Sequence, residues 1–201
     1  MIAWTIEAAQ RSKAIDKVIV TTDDEDIAVV SRKLGAEVPF IRPAALASDE
    51  ADSLSVVAHA HHFLCSRGDL PAALALLQPT SPFRTADDID RAATIYWEKN
   101  ASAVVSVKRA ERPVHWLRRV GAKGELLPLA DDIAPTRPSA EPLFELNGAI
   151  YLLGAEVLVR ERTFFPDRTF AYLMPPERSI DVDTLWDLRL ADLLMRDLHA
   201  D

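Results

Sequence analysis

The hydrophobic pattern of the chain switches repeatedly between helical spacing and short unbroken apolar runs. In IAWTIEAAQRS, Ile2, Ile6 and Ala9 fall on one helical face, so the chain opens in a helix. KVIVTTDD (residues 17–24) is a β-branched run ending in acids and predicts a buried strand. DEDIAVVSRKLG predicts a helix, with acids in its first turn and Gly35 at the C-cap. EVPFIRP is a short extended piece, and SDEADSLSVVAHAHHFLCSRG a longer helix capped by Ser48 or Asp49 and closed at Gly68. A strand at ALALL and a helix led by Thr85 follow, then a strand in ASAVVSVKRA. Residues 109–143, rich in Pro, Arg and Gly, read as irregular with a hairpin around VGAKGEL. NGAIYLLG is a strand, AEVLVRER a short helix, FAYLMP and SIDVD are extended, and TLWDLRLADLLMRDL is an amphipathic terminal helix.

Strands alternating with helices predict an α/β fold with a mainly parallel sheet covered on both faces. In such sheets ligands bind at the carboxyl ends of the strands. The segments TTDD, QPTSP and NGA all fall there. A Gln, two hydroxyls and two prolines at one strand end describe a rigid polar rim facing a crevice.

Composition narrows the function classes. The 201 residues suit one domain spanning 1–201. A net charge of -8 argues against a nucleic-acid partner, although a local basic patch can still hold an anionic ligand. Cys65 is the only cysteine, which leaves no internal disulfide and no cysteine-built zinc site and agrees with a cytoplasmic setting. No apolar run approaches a membrane span, and MIAWTIEAAQ does not read as a signal peptide.

Several side chains carry candidate chemistry. Asp181 and Asp183 are two apart on an extended segment, so both carboxylates point to one side. Two like charges that close call for a cation or donors between them, and Mg2+ takes one or two carboxylates plus substrate phosphates. The plainer use is capping of the last helix by Asp183 or Thr184, with Asp181 solvated. Arg42 can offer a fork of donors to a base or phosphate, and Ser53 on the early helix a hydroxyl; a surface ion pair for Arg42 and a helix cap for Ser48 are the simpler roles. His59 and His62 sit i,i+3 on a helix without a third ligand nearby in sequence, which favours ordinary packing histidines over a metal site. The basic stretch KRAERPVHWLRR grips an acidic ligand or is a solvated face. Phe164 and Phe165, adjacent in a loop, point different ways, one inward and one toward a pocket or interface. There is no GxGxxG, no P-loop and no recognisable Ser/His/Asp set.

Four segments in order, RPAALASDEADS, LLQPTSPFR, NGAIYLL and SIDVDT-WDL, with VIVTTDD before them, resemble the acylneuraminate cytidylyltransferases: CMP-sialic acid synthetases and their bacterial nonulosonate relatives. The resemblance covers essentially the whole chain. It implies a Rossmann-like, three-layer nucleotidyltransferase with a small dimerisation protrusion at about residues 109–143. It implies transfer of CMP from CTP to the anomeric 2-hydroxyl of a nine-carbon α-keto acid sugar, with Mg2+ (or Mn2+) as cofactor and a homodimer as assembly. Asp183 would ligate the metal and Asp181 support or share it. Arg42 and Ser53 would meet the cytidine. Gln78, Thr80 and Ser81 would bond the sugar or its junction with the nucleotide. Asn147, Tyr151, Phe164 and Phe165 would surround the sugar's side chain, and Arg137 would meet its carboxylate.

The chain also departs from that family. Glu145 stands where well-known sialic acid enzymes have Arg, and His115 where they often have Lys, which keeps legionaminate- and pseudaminate-like sugars open. Family members begin with a strand and an Arg-, Gly-, Ser- and Lys-bearing loop of about 25 residues that wraps the triphosphate. The resemblance leads to the expectation that this segment is absent, that the sheet loses a central strand, and that activity is poor. Two alternatives stand beside the enzyme: a non-catalytic or truncated nucleotide-binding relative, and a CMP-KDO-type synthetase.

Overall fold

A computed structural model describes residues 1–48, 50–112, 116–129 and 142–198. Six helices are described: α1 (Ile2–Arg11), α2 (Glu25–Lys33), α3 (Ser53–Ser66), α4 (Ala86–Glu98), α5 (Ala155–Glu161) and α6 (Leu185–Leu198). The strands are β1 (Ala73–Leu76), β2 (Ala103–Arg109), β3 (Arg118–Val120), β4 (Leu126–Pro128), β5 (Phe144–Gly154) and β6 (Thr169–Leu173).

Four strands form one sheet in the order β1-β5-β2-β6. β5 pairs antiparallel with both β1 and β2, and β6 pairs parallel with β2. Three strands therefore share a direction, as the alternation of elements predicts, and β5 alone is reversed between two of them. Helix α4 is the crossover that lets β1 and β2 run the same way with β5 between them. On one face of the sheet, Ile89, Ala92, Ala93 and Tyr96 of α4 and Ala8 of α1 pack on Val104, Ile150, Leu152 and Tyr172. On the other, Leu54 and Val57 of α3 and Leu158 of α5 pack on Leu74, Ala103 and Leu153. These are the three layers expected of a sheet buried on both faces.

Local chemistry sets the helix starts. Asp24 accepts from the Ile27 amide at 2.9 Å, and Glu25 and Asp26 lie in the first turn of α2. Thr85 and Asp88 form a reciprocal capping box on α4. Helix α3 begins later than its sequence suggests: Asp52 is the cap, accepting from the Ser55 amide and hydroxyl at 2.8 and 2.7 Å, in place of Ser48, while Asp49 lies outside the described residues.

The expected strand at residues 17–24 is extended but makes a single parallel bridge, Ile19 to Glu37. The Val20 amide donates to the Glu37 carbonyl at 2.8 Å and the Glu37 amide to Val18 at 2.9 Å. The next donor in a parallel ladder would come from residue 39, which is Pro39 and has no N–H, so the regular ladder is interrupted there and the segments next meet where the Arg42 amide donates to the Thr22 carbonyl at 2.8 Å. The expected hairpin at VGAKGEL is present as β3 and β4, turning through Gly124 at φ +85°. SIDVD forms no strand; its Val182 amide donates to the Thr80 carbonyl at 2.8 Å and so lays the segment against the rim after β1. Among the described residues no helix is long and apolar enough to cross a membrane.

Candidate functional site

The site is built where β1 and β5 meet the segment before α6. Strand β1 ends at Leu76, whose register partner on β5 is Tyr151. The chain then turns through Gln78 to Ser81, the Ser81 amide donating to the Gln78 carbonyl at 3.3 Å. Ser81 is fully buried, and its hydroxyl donates to the Asn147 carbonyl at 3.2 Å. Thr80 and Gln78 are partly exposed.

Gly148 is the point on which these parts converge. Its φ is +73°, and a Cβ built on it would lie 2.8 Å from Gln78 Oε1, 3.2 Å from Asp181 Oδ2 and 3.3 Å from Ser81 Oγ. Three polar side chains from two loops thus approach one stretch of bare β5 backbone, which a side chain at this position would displace. The pairing of β2 with β5 is interrupted by a register shift between Val105 and Val107, opposite this stretch.

Asn147 holds that irregular backbone from within. It is 2% exposed, and its side chain is fully engaged with the protein. Its Nδ2 donates to Ser179 Oγ at 3.0 Å, and its Oδ1 accepts from Ser106 Oγ at 2.6 Å and from the Ala149 amide at 3.2 Å. Tyr151 lies four residues further along β5, its ring 5.0 Å from that of Phe164. Burial, and then the nearby charge of Asp181, push the Tyr151 phenol up, so the ring keeps its proton and can donate a hydrogen bond. Phe165, adjacent to Phe164, is 53% exposed, so the two rings do point different ways.

Asp181 and Asp183 follow Ser179 on the extended segment. Asp181 Oδ1 is buried and has no hydrogen-bond partner. Asp183 is exposed and is not the cap of α6: Thr184 and Asp187 cap that helix between themselves. A buried carboxylate oxygen without a donor, beside a second carboxylate that no helix uses, is a donor set that suits a hard cation taking its remaining ligands from a substrate. Among the described residues no group of three or more His, Cys, Asp or Glu is placed to hold a metal.

Arg42 and Ser53 stand apart from this cluster. The Arg42 guanidinium pairs with Asp23 at 3.0 Å, and its Nε is buried without a partner. Ser53 opens α3. Among the described residues no hydrogen bond or ion pair joins either to Gln78, Ser81 or Asp181. Arg137 and His115 lie outside the described residues. Glu145 is paired across the strands with Lys108 at 3.2 Å, which accounts for an acid at that place. His59 sets its ring edge-on to Phe40 at 4.7 Å, and His61 contacts Cys65 at 3.4 Å on the same helix.

Two charged residues beneath the rim have no motif of their own. Asp88, fully buried, accepts from Arg178 Nε and Nη2 at 3.0 and 2.9 Å, from the Tyr172 hydroxyl at 2.8 Å and from Thr85. Burial alone would raise its carboxyl; the donors from Arg178, Thr85 and Tyr172 outweigh it and hold it below its ordinary value. Arg84, 3% exposed, donates to the Ala149 and Gln78 carbonyls. Only the glycine of NGA, a strand interior where Gly marks close approach, signals this arrangement in the sequence.

A family model described as Cytidylyltransferase matches residues 1–174. The N-acylneuraminate cytidylyltransferase of Escherichia coli O18:K1:H7 is 34% identical over 192 residues, 95% of this chain and 45% of that protein. The CMP-N,N'-diacetyllegionaminic acid synthase of Legionella pneumophila is 32% identical over 198 residues, 97% of this chain and 84% of that protein. The chain therefore spans under half of the first relative and most of the second. Among solved structures, a CMP:2-keto-3-deoxy-manno-octonic acid synthetase complexed with CTP superposes with a TM-score of 0.70 at 15% identity, covering 98% of this chain and 87% of the other.

Proposed function

The chain belongs to the cytidylyltransferase family, and from that premise we propose that it transfers CMP from CTP to the anomeric 2-hydroxyl of a nine-carbon α-keto acid sugar. The sugar is a sialic acid or a legionaminic or pseudaminic relative. The hydroxyl oxygen attacks the α-phosphorus, a new P–O bond forms, and the bond to pyrophosphate breaks. The observation that carries this reading is the convergence of Gln78, Ser81 and Asp181 on the bare backbone of Gly148. It makes a polar wall for a hydroxyl-rich ligand at the carboxyl end of β1, where α/β sheets hold their substrates.

The residues divide the work. Gln78 and Thr80, both partly exposed, read hydroxyls. Ser81 and Asn147 are already bonded to the protein, so their part is to hold the rim and Gly148 in place. Tyr151 and Phe164 wall the sugar's side chain. Arg42 and Ser53 take the nucleotide. Asp181 and Asp183 would hold Mg2+ or Mn2+, consistent with the unpartnered Asp181 Oδ1. When bound, that ion supplies positive charge against the phosphates of CTP.

A homodimer and a cytoplasmic location belong to the same proposal. The β3–β4 hairpin carries Val120 and Leu126 at 71% and 72% exposure, an apolar surface suited to a second copy. The single free cysteine, Cys65, suits a reducing compartment.

The test is pyrophosphate release from CTP with the metal, run separately with N-acetylneuraminate, legionaminate, pseudaminate and KDO, for wild type and Asp183→Ala. Release with a nine-carbon acid that is lost in the variant supports the proposal. Release with KDO alone, or with no sugar, overturns it.

A further inference from the structure

Arg84 is the only lysine or arginine among the described residues to be buried, at 3% exposure. Among the described residues no carboxylate pairs with it directly; Asp88 acts on it only through its charge. The nearest acid in sequence, Asp88, has its oxygens occupied by Arg178, Tyr172 and Thr85. Burial lowers the guanidinium to about 10, which still leaves it charged at neutral pH. A buried cation whose desolvation outweighs the charge of Asp88 is expensive, and a methionine or leucine would fill the same volume without that penalty. The cost therefore calls for a use.

The use lies in its two bonds. Nη1 donates to the Ala149 carbonyl at 2.6 Å and to the Gln78 carbonyl at 3.3 Å. Gln78 begins the rim after β1, and Ala149 follows Gly148 on β5, so one nitrogen ties the two walls of the site together. The gap it spans is narrow: a Cβ on Gly148 would sit 2.8 Å from Gln78 Oε1. We propose that Arg84 is a positioning residue that fixes the Gln78 amide against Gly148 and so sets the sugar-binding wall, leaving the nucleotide side untouched. Arg42 and Ser53 share no hydrogen bond with it. The proposal rests on the transfer reaction given above.

Two variants and two measurements decide it. Arg84→Met removes both bonds and keeps the volume. Arg84→Lys keeps the charge on a chain one bond shorter and rescues only part of the function. With the full chain, the expected result for Arg84→Met is a rise of about tenfold or more in KM for the sugar, with KM for CTP within about twofold, since a displaced Gln78 forfeits a hydrogen bond to the sugar and one such bond is worth about that factor. Arg84→Lys falls between. A purely structural role would instead lower the active fraction and leave both KM values alone, and that result, or equal rises in both, overturns the proposal. Amide hydrogen exchange of the ligand-free chain supplies the second measurement. Faster exchange confined to residues 76–83 and 147–152 supports positioning; exchange spread through α4 and β2, or unchanged everywhere, overturns it. If wild type releases no pyrophosphate with any sugar, the reaction is wrong, and the exchange pattern alone decides the role of Arg84.

Discussion

Thr184 donates both its amide and its hydroxyl to Asp187 Oδ2, at 2.8 and 2.7 Å, and the Asp187 amide returns a bond to the Thr184 hydroxyl at 3.2 Å. This reciprocal cap starts α6 without any help from Asp183. The two aspartates of SIDVD are therefore separable from helix stability, and mutation can show it. Asp183→Ala is expected to abolish at least about 99% of pyrophosphate release, as loss of a metal-holding charge does. Its melting temperature should stay within about 2 °C of wild type, as for other exposed substitutions. Thr184→Ala should do the reverse, lowering the melting temperature while retaining the reaction. Paired melting and activity assays check both, and a large melting shift in Asp183→Ala would count against this division.

Gly148→Ala tests the convergence itself. An alanine there must adopt φ +73° and bring its Cβ to 2.8 Å from Gln78 Oε1. The backbone strain costs about 1–3 kcal/mol, and Gln78 has to move. Urea unfolding is expected to show that loss, and the KM for the sugar to rise more than the KM for CTP.

Asp88 makes an acid-dependent contribution to stability. Its folded carboxyl lies below its ordinary value, so the contribution is present above that value and is lost as pH falls through the depressed one. Asp88→Asn should therefore lower stability at pH 7 by about 3 kcal/mol, since Arg178 loses its counter-charge. The wild-type and variant melting curves should draw together as pH falls below the ordinary carboxyl range and through the depressed value of Asp88, where the wild-type side chain takes up its proton too. Thermal melts from pH 7 down into the acid limb make the comparison; a gap between the two proteins that never narrows before both unfold would sink it.

The exposed hairpin predicts an association. Replacing Val120 and Leu126 by Glu should convert a dimer to a monomer in light scattering and leave the sheet intact, because both residues sit outside the packed layers. A wild-type chain that is monomeric at micromolar concentration would remove the dimer from the proposal.

Much of this protein is legible in its sequence, for reasons that differ by element. Helices α2 and α4 announce themselves through acids in the first turn and capping residues, because a helix start is a local matter of unsatisfied amides. Strands β2 and β5 are readable from residues 103–105 and 149–153, because the stretch of a strand buried on both faces must be apolar. QPTSP and NGA could be assigned to a ligand crevice because they interrupt such strands with polar groups and glycine. The start of α3 was less legible, since Ser48, Asp49 and Asp52 are all competent caps and only packing chooses among them.

What the sequence determined by itself was the order of elements, the three-layer class and the family, all of which follow from periodicity and short motifs. Tertiary structure decided the rest because it concerns pairs of residues distant along the chain. Pro39, by lacking an N–H, limits residues 17–24 to a single bridge, although their composition alone is that of a sheet strand. Asn147 is turned inward to Ser106 and Ser179, 41 and 32 residues away, and Arg84 reaches Ala149, 65 residues on. No local pattern records those bonds; they exist because reversing β5 between β1 and β2 brings the three polar segments to one end of the sheet.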